Sequence, residues 1–213
     1  MRTLLIGGAR SGKSALALRW SNERSSAICT LVTGTESDPE MAARIAAHRR
    51  ERPAHWRVRE EPIYLGRALR EQSATVMQSP TASLSAPASL SRAASPSIAP
   101  SASLLLIDCL TLWISNCLWP PSLGFDGNDY ATWHRERDDF LDALRSCSSD
   151  VIIVTNEVGT GIVPDNASSR IFRDEQGWLN QGVAAICDEV FFVTAGLPMC
   201  LKPWPGRTTT QPP

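Results

Sequence analysis

Thr3-Leu4-Leu5-Ile6-Gly7-Gly8-Ala9-Arg10-Ser11-Gly12-Lys13-Ser14 decides the fold: an apolar run enters Gly-x-x-x-x-Gly-Lys-Ser, and a helical pattern follows. Glycines let the backbone curl until several N–H groups aim at one anion, and a helix opening near Lys13 adds the positive end of its dipole. In such a loop Gly7, Gly8, Ala9, Arg10, Ser11 and Gly12 cradle phosphates, Lys13 reaches the β- and γ-phosphates, and the Ser14 hydroxyl holds Mg²⁺. The bare string arises by chance in long chains. The strand before it and the helix after it are the context that gives it meaning.

Outward from this loop, apolar or β-branched runs at 3–6, 27–33, 103–107, 150–155 and 189–194 predict strands. Amphipathic patterns at 13–24, 39–52, 62–72, 110–118, 129–147 and 168–187 predict helices between them. That alternation is the signature of a mostly parallel central sheet flanked by helices, an α/β fold of the P-loop NTPase type. With 213 residues, 43% of them hydrophobic, the chain is sized for one domain with a real core, expected over 1–202. The segment 73–103 departs from the pattern: ten Ser, eight Ala and four Pro leave it one charge, Arg92, and few large apolar groups. It is expected to be a flexible insertion, and the Pro-rich tail 203–213 to be disordered.

The 21 basic and 22 acidic residues leave a net charge of −1, so no overall field favours nucleic acid or an anionic membrane. Any affinity for phosphate must be local. The first apolar run stops at the glycines, which does not read as a leader, and no stretch reaches the about 18 apolar residues of a membrane span. The expected compartment is the cytoplasm. Six cysteines, at 29, 109, 117, 147, 187 and 200, form no C-x-x-C pair and no ligand spacing with the three histidines; they read as reduced thiols, without zinc.

Three further stretches carry chemistry. Leu104-Leu105-Leu106-Ile107-Asp108 is a buried-strand run ending in a carboxylate, which in a P-loop enzyme orients Mg²⁺ opposite the Ser14 hydroxyl; alone, it equally fits a helix cap. The stretch from Ser37 to Pro53 starts and stops like a helix: Ser37 or Asp38 caps it, Pro39 suits the first turn, and Pro53 ends it. Spacing by four sets Arg44, His48 and Arg52 on one face, with Met41 and Ile45 on a neighbouring apolar face. Guanidinium groups flanking an imidazole favour its neutral, nucleophilic form and can neutralise a phosphate brought against it. The alternative is a solvated basic helix face. The third stretch, Val151 to Pro164, runs from a buried strand into a glycine-bearing loop where Thr155, Asn156 and Glu157 either meet a substrate or hold the loop. Arg170, Arg173, Asn180 and Gln181 follow on or beside a helix as candidate polar contacts, whereas His55 reads as a packing or solvent-contact residue and His134 as part of a helix surface.

Together these strings resemble the bifunctional adenosylcobinamide kinase/adenosylcobinamide-phosphate guanylyltransferase family of cobalamin biosynthesis. The resemblance is carried by Gly7 to Ser14, Asp38-Pro39-Glu40-Met41-Ala42-Ala43-Arg44-Ile45 with His48 and Arg52-Pro53, Trp56-Arg57, Asp108-Cys109-Leu110-Thr111, Thr155-Asn156-Glu157-Val158-Gly159, Gly161 to Pro164, Phe172-Arg173-Asp174 and Asn180-Gln181. It implies two reactions. In one, the terminal phosphate of GTP or ATP passes to the aminopropanol hydroxyl of adenosylcobinamide, with Lys13 and Mg²⁺ spreading charge. In the other, His48 attacks the α-phosphate of GTP, and the GMP it holds passes to adenosylcobinamide phosphate, giving adenosylcobinamide-GDP. The resemblance also implies nucleotide contacts from Thr33, Gly34, Thr35, Arg49, Arg50, Glu51, Arg52, Glu60 and Asp108, and a homotrimer. It leaves 73–103 as an insertion and does not account for the tail. Two rivals are a P-loop small-molecule kinase without the guanylyl step and a GTP-driven switch. The second lacks its guanine-reading Asn-Lys-x-Asp, since Glu157-Val158 follow Asn156.

Overall fold

Strand β1 (Arg2–Gly7) carries the phosphate loop into α1 (Lys13–Arg24), and the alternation continues through β2 (Ile28–Val32), α2 (Pro39–Glu51), β3 (Arg57–Glu60) and α3 (Leu65–Ala74). It resumes with β4 (Leu104–Asp108), α4 (Leu110–Leu118), α5 (Tyr130–Ser146), β5 (Asp150–Asn156), α6 (Ala167–Ile186), β6 (Glu189–Thr194) and β7 (Leu197–Lys202). The structure, a computed structural model, describes residues 1–35, 39–74, 104–120 and 129–203. The caps expected at Ser37 and Asp38, most of the 73–103 run and all of the tail beyond Pro203 lie outside them.

The sheet has the order β3-β2-β4-β5-β1-β6-β7. Every neighbouring pair is parallel except β6 and β7. Parallel strands need helical crossovers, and crossovers cover both faces, which is why the strand sequences are apolar almost without interruption. Alternate residues divide between two layers. Leu4, Leu31, Leu105, Ile107 and Ile153 pack against α3, α4, α5 and α6, where Trp113 meets Trp133 and Phe140 edge to face at 5.3 and 5.1 Å. Leu5, Leu104, Leu106, Ile152 and Phe191 face Leu16, Ala17 and Trp20 of α1 on the other side.

The register sets the strand ends against one another. Gly7 pairs with Asn156, Val154 with Asp108, and Asp108 with Val32, so the carboxyl ends of β1, β5, β4 and β2 share one edge. This is where open parallel sheets hold ligands. Strand β5 lies between the phosphate-loop strand and the Asp108 strand, so Asn156 falls midway between the two.

Two strands escape a periodicity reading. β3 is four residues of an edge strand, Arg-Val-Arg-Glu, whose charges mask its alternation and blunt an exposed edge. β7 is mostly exposed, begins Leu197-Pro198 and pairs antiparallel with β6 through a two-residue turn, Ala195-Gly196, both at positive φ (51° and 78°). That is the turn geometry whose twist suits a hairpin, on a sequence without the usual Asn-Gly or Asp-Gly signal. One boundary also moves: α3 runs through Ala74, and Ser73, the first residue of the low-complexity segment, is a buried helix residue whose Oγ lies 2.9 Å from Cys147 Sγ.

Candidate active site

The phosphate loop is built by close approach. A Cβ on Gly7 would lie 2.3 Å from the Val193 carbonyl oxygen, and one on Gly12, at φ 93°, 2.9 Å from Gly196 Cα. Only glycine fits either position, the second for its backbone as well. The β6–β7 turn braces the loop from outside, Gly196 N–H donating to the Ser11 carbonyl at 2.8 Å. Lys13, buried at the start of α1, spans the loop and donates to the Gly8 carbonyl at 2.9 Å. With Gly12 at the N-cap and no side-chain cap, the first N–H groups of α1 are left for an anion.

Beside the loop a cavity opens to solvent. Lys13 and Ser14 line it from α1, Met41, Ile45, His48 and Arg49 from α2, Arg52 from just beyond α2, Glu60 from β3, Asp108 and Cys109 from the end of β4, Thr111 and Leu112 from α4, and Asn156 from β5. The helix α2 thus brings its imidazole to the cavity that holds the phosphate-loop lysine. Glu51 Oε2 lies 3.6 Å from His48 Nδ1, so a carboxylate, and not guanidinium groups alone, neighbours the ring. Two ion pairs cross the cavity wall: Arg49 Nη2 to Glu60 Oε1 at 2.8 Å, and Arg52 Nη2 to Asp108 Oδ2 at 2.9 Å. Burial, followed by the Asp108 charge, pushes the Cys109 thiol up, which makes it a poor nucleophile at neutral pH.

The model of the cobinamide kinase / cobinamide phosphate guanyltransferase family matches residues 3–85 and 78–201. The chain belongs to this family. Its membership makes it an enzyme, a cobinamide kinase and cobinamide phosphate guanylyltransferase. The bifunctional adenosylcobalamin biosynthesis protein CobP of Pseudomonas aeruginosa is 40% identical to it over 202 residues, 95% of this chain and 98% of the relative. The protein of that name with suffix CobU in Salmonella typhimurium is 35% identical over 210 residues, 95% of this chain and all of the relative (100%). Among solved structures, the P4 protein from bacteriophage phi6 in complex with ADP aligns with 92% of this chain and 52% of its own at a TM-score of 0.35 and 11% identity, a likeness too slight to add anything.

Of the residues expected at the family's nucleotide site, Lys13, Ser14, Gly34, His48, Arg49, Arg52, Glu60 and Asp108 line one cavity. Thr33 does not. It is fully buried, and its hydroxyl donates to the Cys109 carbonyl at 2.6 Å and accepts from Cys109 N–H at 3.2 Å, clasping the ends of β2 and β4. Thr35, Arg50 and Glu51 are exposed and outside the lining, and the side chain of Arg44 lies outside the described residues. The loop after β5 divides likewise. The buried Thr155 hydroxyl accepts from Gln176 Nε2 at 2.9 Å and meets Asn180 Oδ1 at 2.8 Å, so it faces the interior. Asn156 is held by its main chain, N–H to Thr111 Oγ1 and carbonyl from Asn180 Nδ2, both at 2.9 Å, which leaves its side chain on the cavity wall. Arg170 donates to the carbonyls of Pro164 and Asp165 and pins the loop, and His134 sits on α5 beside Glu175. Sequence reasoning gave no role to Val32, Leu112 and Val154, which supply the apolar lining. Their signal was only that of strand and helix core.

Proposed function

We propose that one nucleotide position serves both reactions of the family, with the phosphates on Gly7 to Ser14 and the nucleoside along the wall formed by α2, Leu112 and Glu60. The observation that carries this reading is the single cavity shared by Lys13, Ser14, Asp108 and His48. In the kinase reaction Lys13 and the N–H groups opening α1 draw charge from the γ-phosphate of GTP or ATP as it passes to the hydroxyl of adenosylcobinamide. In the guanylyl reaction His48 forms a bond to the α-phosphorus of GTP, the bridging oxygen leaves with pyrophosphate, and an oxygen of adenosylcobinamide phosphate then displaces the histidine. Glu51 facing Nδ1 supports Nε2 as the attacking atom, because a carboxylate on one ring nitrogen orients the ring and leaves the other free. Arg49 and Arg52 neutralise the phosphates during that attack.

A hydroxyl and a carboxylate, Ser14 and Asp108, suit Mg²⁺, which takes few protein ligands and completes its shell with phosphate and water. When bound, the ion would offset charge on the β- and γ-phosphates.

The test is mass spectrometry of the protein incubated with GTP and Mg²⁺. One added GMP on the peptide containing His48, with pyrophosphate released in equal amount, supports the reading. An adduct on another residue overturns the site assignment, and kinase activity with no adduct at all favours a kinase lacking the second step. The assembly is expected to be a homotrimer: light scattering should return three times the chain mass of 23.2 kDa.

A further inference from the structure

Arg52 and Asp108 form the most enclosed ion pair of the cavity, with side chains 8% and 15% exposed against 52% and 63% for Arg49 and Glu60. The exposed pair is screened by water and readily rearranged. In the enclosed pair, neither charge can be left alone without a large desolvation cost. Arg52 reaches Asp108 through Nη2, while its Nε is buried with no hydrogen-bond partner. The guanidinium therefore has donor capacity that this carboxylate does not use.

Resting on the reading of Asp108 as a metal ligand, we propose that Arg52 competes with the divalent cation for Asp108 and releases the carboxylate only when nucleotide phosphates offer its guanidinium another anion. The physical requirement is plain. A divalent cation on Asp108 with the guanidinium still in contact would set like charges a few ångströms apart in a half-dry pocket, where their repulsion is strong. Arg52 must then find a different anion. The other carboxylate lining the cavity, Glu60, already carries Arg49. Phosphates resting on Lys13 and Ser14 lie on the same cavity and suit the planar fork of a guanidinium, with several acceptor oxygens for donors that Asp108 leaves idle. Arg52 is thus a positioning residue for metal: it keeps free cation off Asp108 and makes metal and nucleotide enter together. Its place four residues beyond His48 links the exchange to the arrival of phosphate beside the imidazole.

The experiment measures Mn²⁺ affinity by electron paramagnetic resonance on the full chain, with and without GTP, in the native protein and in Arg52→Gln, Arg52→Lys, Asp108→Asn and the Arg52→Gln/Asp108→Asn pair. Without GTP, Arg52→Gln should bind Mn²⁺ about tenfold or more tightly than the native protein, the scale of one nearby charge, and Asp108→Asn in the same chain should remove the gain. Arg52→Lys keeps a competing cation and should stay near the native value without GTP; should Arg52→Gln lose its fold, Arg52→Met, which keeps the aliphatic stem and drops the charge, should show the same gain in Mn²⁺ affinity, and no gain there overturns the competition. With GTP present the advantage of Arg52→Gln should vanish or reverse. Equal Mn²⁺ affinity of the native protein and Arg52→Gln without GTP, alongside weaker Mn²⁺–GTP binding in Asp108→Asn, overturns the competition and leaves Asp108 as metal ligand. No effect of Asp108→Asn on Mn²⁺–GTP binding removes the ligand assignment, and the competition with it.

Discussion

His48 has two neighbours of different kinds: Glu51, one turn on along α2, and the phosphate loop across the cavity. Replacing it tests the division of labour between the two reactions. On the proposed reading, in which Lys13 and the loop serve the kinase reaction and His48 only the guanylyl one, His48→Ala should abolish the GMP adduct while leaving phosphoryl transfer to cobinamide within a few-fold of native. Parallel assays of adduct mass and of phosphate transfer decide it; equal loss of both would make His48 a binding residue. At this scale the sequence supplied residue types and spacing, and it marked His48, Lys13 and Asp108 as candidates. It did not separate side chains on the cavity from those turned inward. Thr33 and Thr155 look as exposed to a ligand in the sequence as Ser14 does, yet both hydroxyls are engaged inside the protein. Partners 76 and 25 residues away take those hydroxyls, and no local pattern encodes such pairings.

Among the elements, the β6–β7 hairpin is the one whose importance to the site was least visible. Its turn touches the phosphate loop through Gly196, and Gly12 tolerates that contact by having no side chain. Gly12→Ala should therefore weaken nucleotide binding by about tenfold or more, through a strained positive φ and a forced separation of loop and hairpin, with far-ultraviolet circular dichroism little changed. Calorimetric titration with GTP reads the loss. Helix α6 offers a purely structural counterpart. Asn166 caps it, Oδ1 accepting from Ser169 N–H at 2.7 Å, so Asn166→Ala should lower unfolding free energy by about 1 kcal/mol in urea denaturation and leave nucleotide affinity unchanged. Long elements were legible because burial on one or two faces imposes a period on the sequence, as in α5 and β5. β3 and β7 were not, since exposed edge strands carry charges, a proline and uneven alternation.

In the molecule as a whole, the two apolar layers enclose most of the thiols. Burial pushes Cys117 and Cys187 up to about 12, and it raises Cys29 and Cys109 as well, whereas Cys200 on β7 is exposed. A disulfide reagent at neutral pH should find one fast thiol, at Cys200, a slower one at Cys109, which lines the cavity with its thiol pushed up, and the four buried ones only as the protein unfolds; stopped-flow thiol titration with peptide mapping checks this. No helix among the described residues is long and apolar enough to cross a membrane. The sequence by itself determined the alternating parallel fold, the glycine-bearing loop after β1 and the residue types available to the candidate site, because each depends on local periodicity, glycine placement or residue type. The tertiary structure decided the rest. Strand order set β5 between the loop and Asp108 and so brought Asn156 to the cavity. Packing drew α2 across the sheet edge, set Arg52 on Asp108 and laid Gly196 against Ser11. These are meetings of residues far apart in the chain, governed by how layers close over a core, and no stretch of sequence contains both partners.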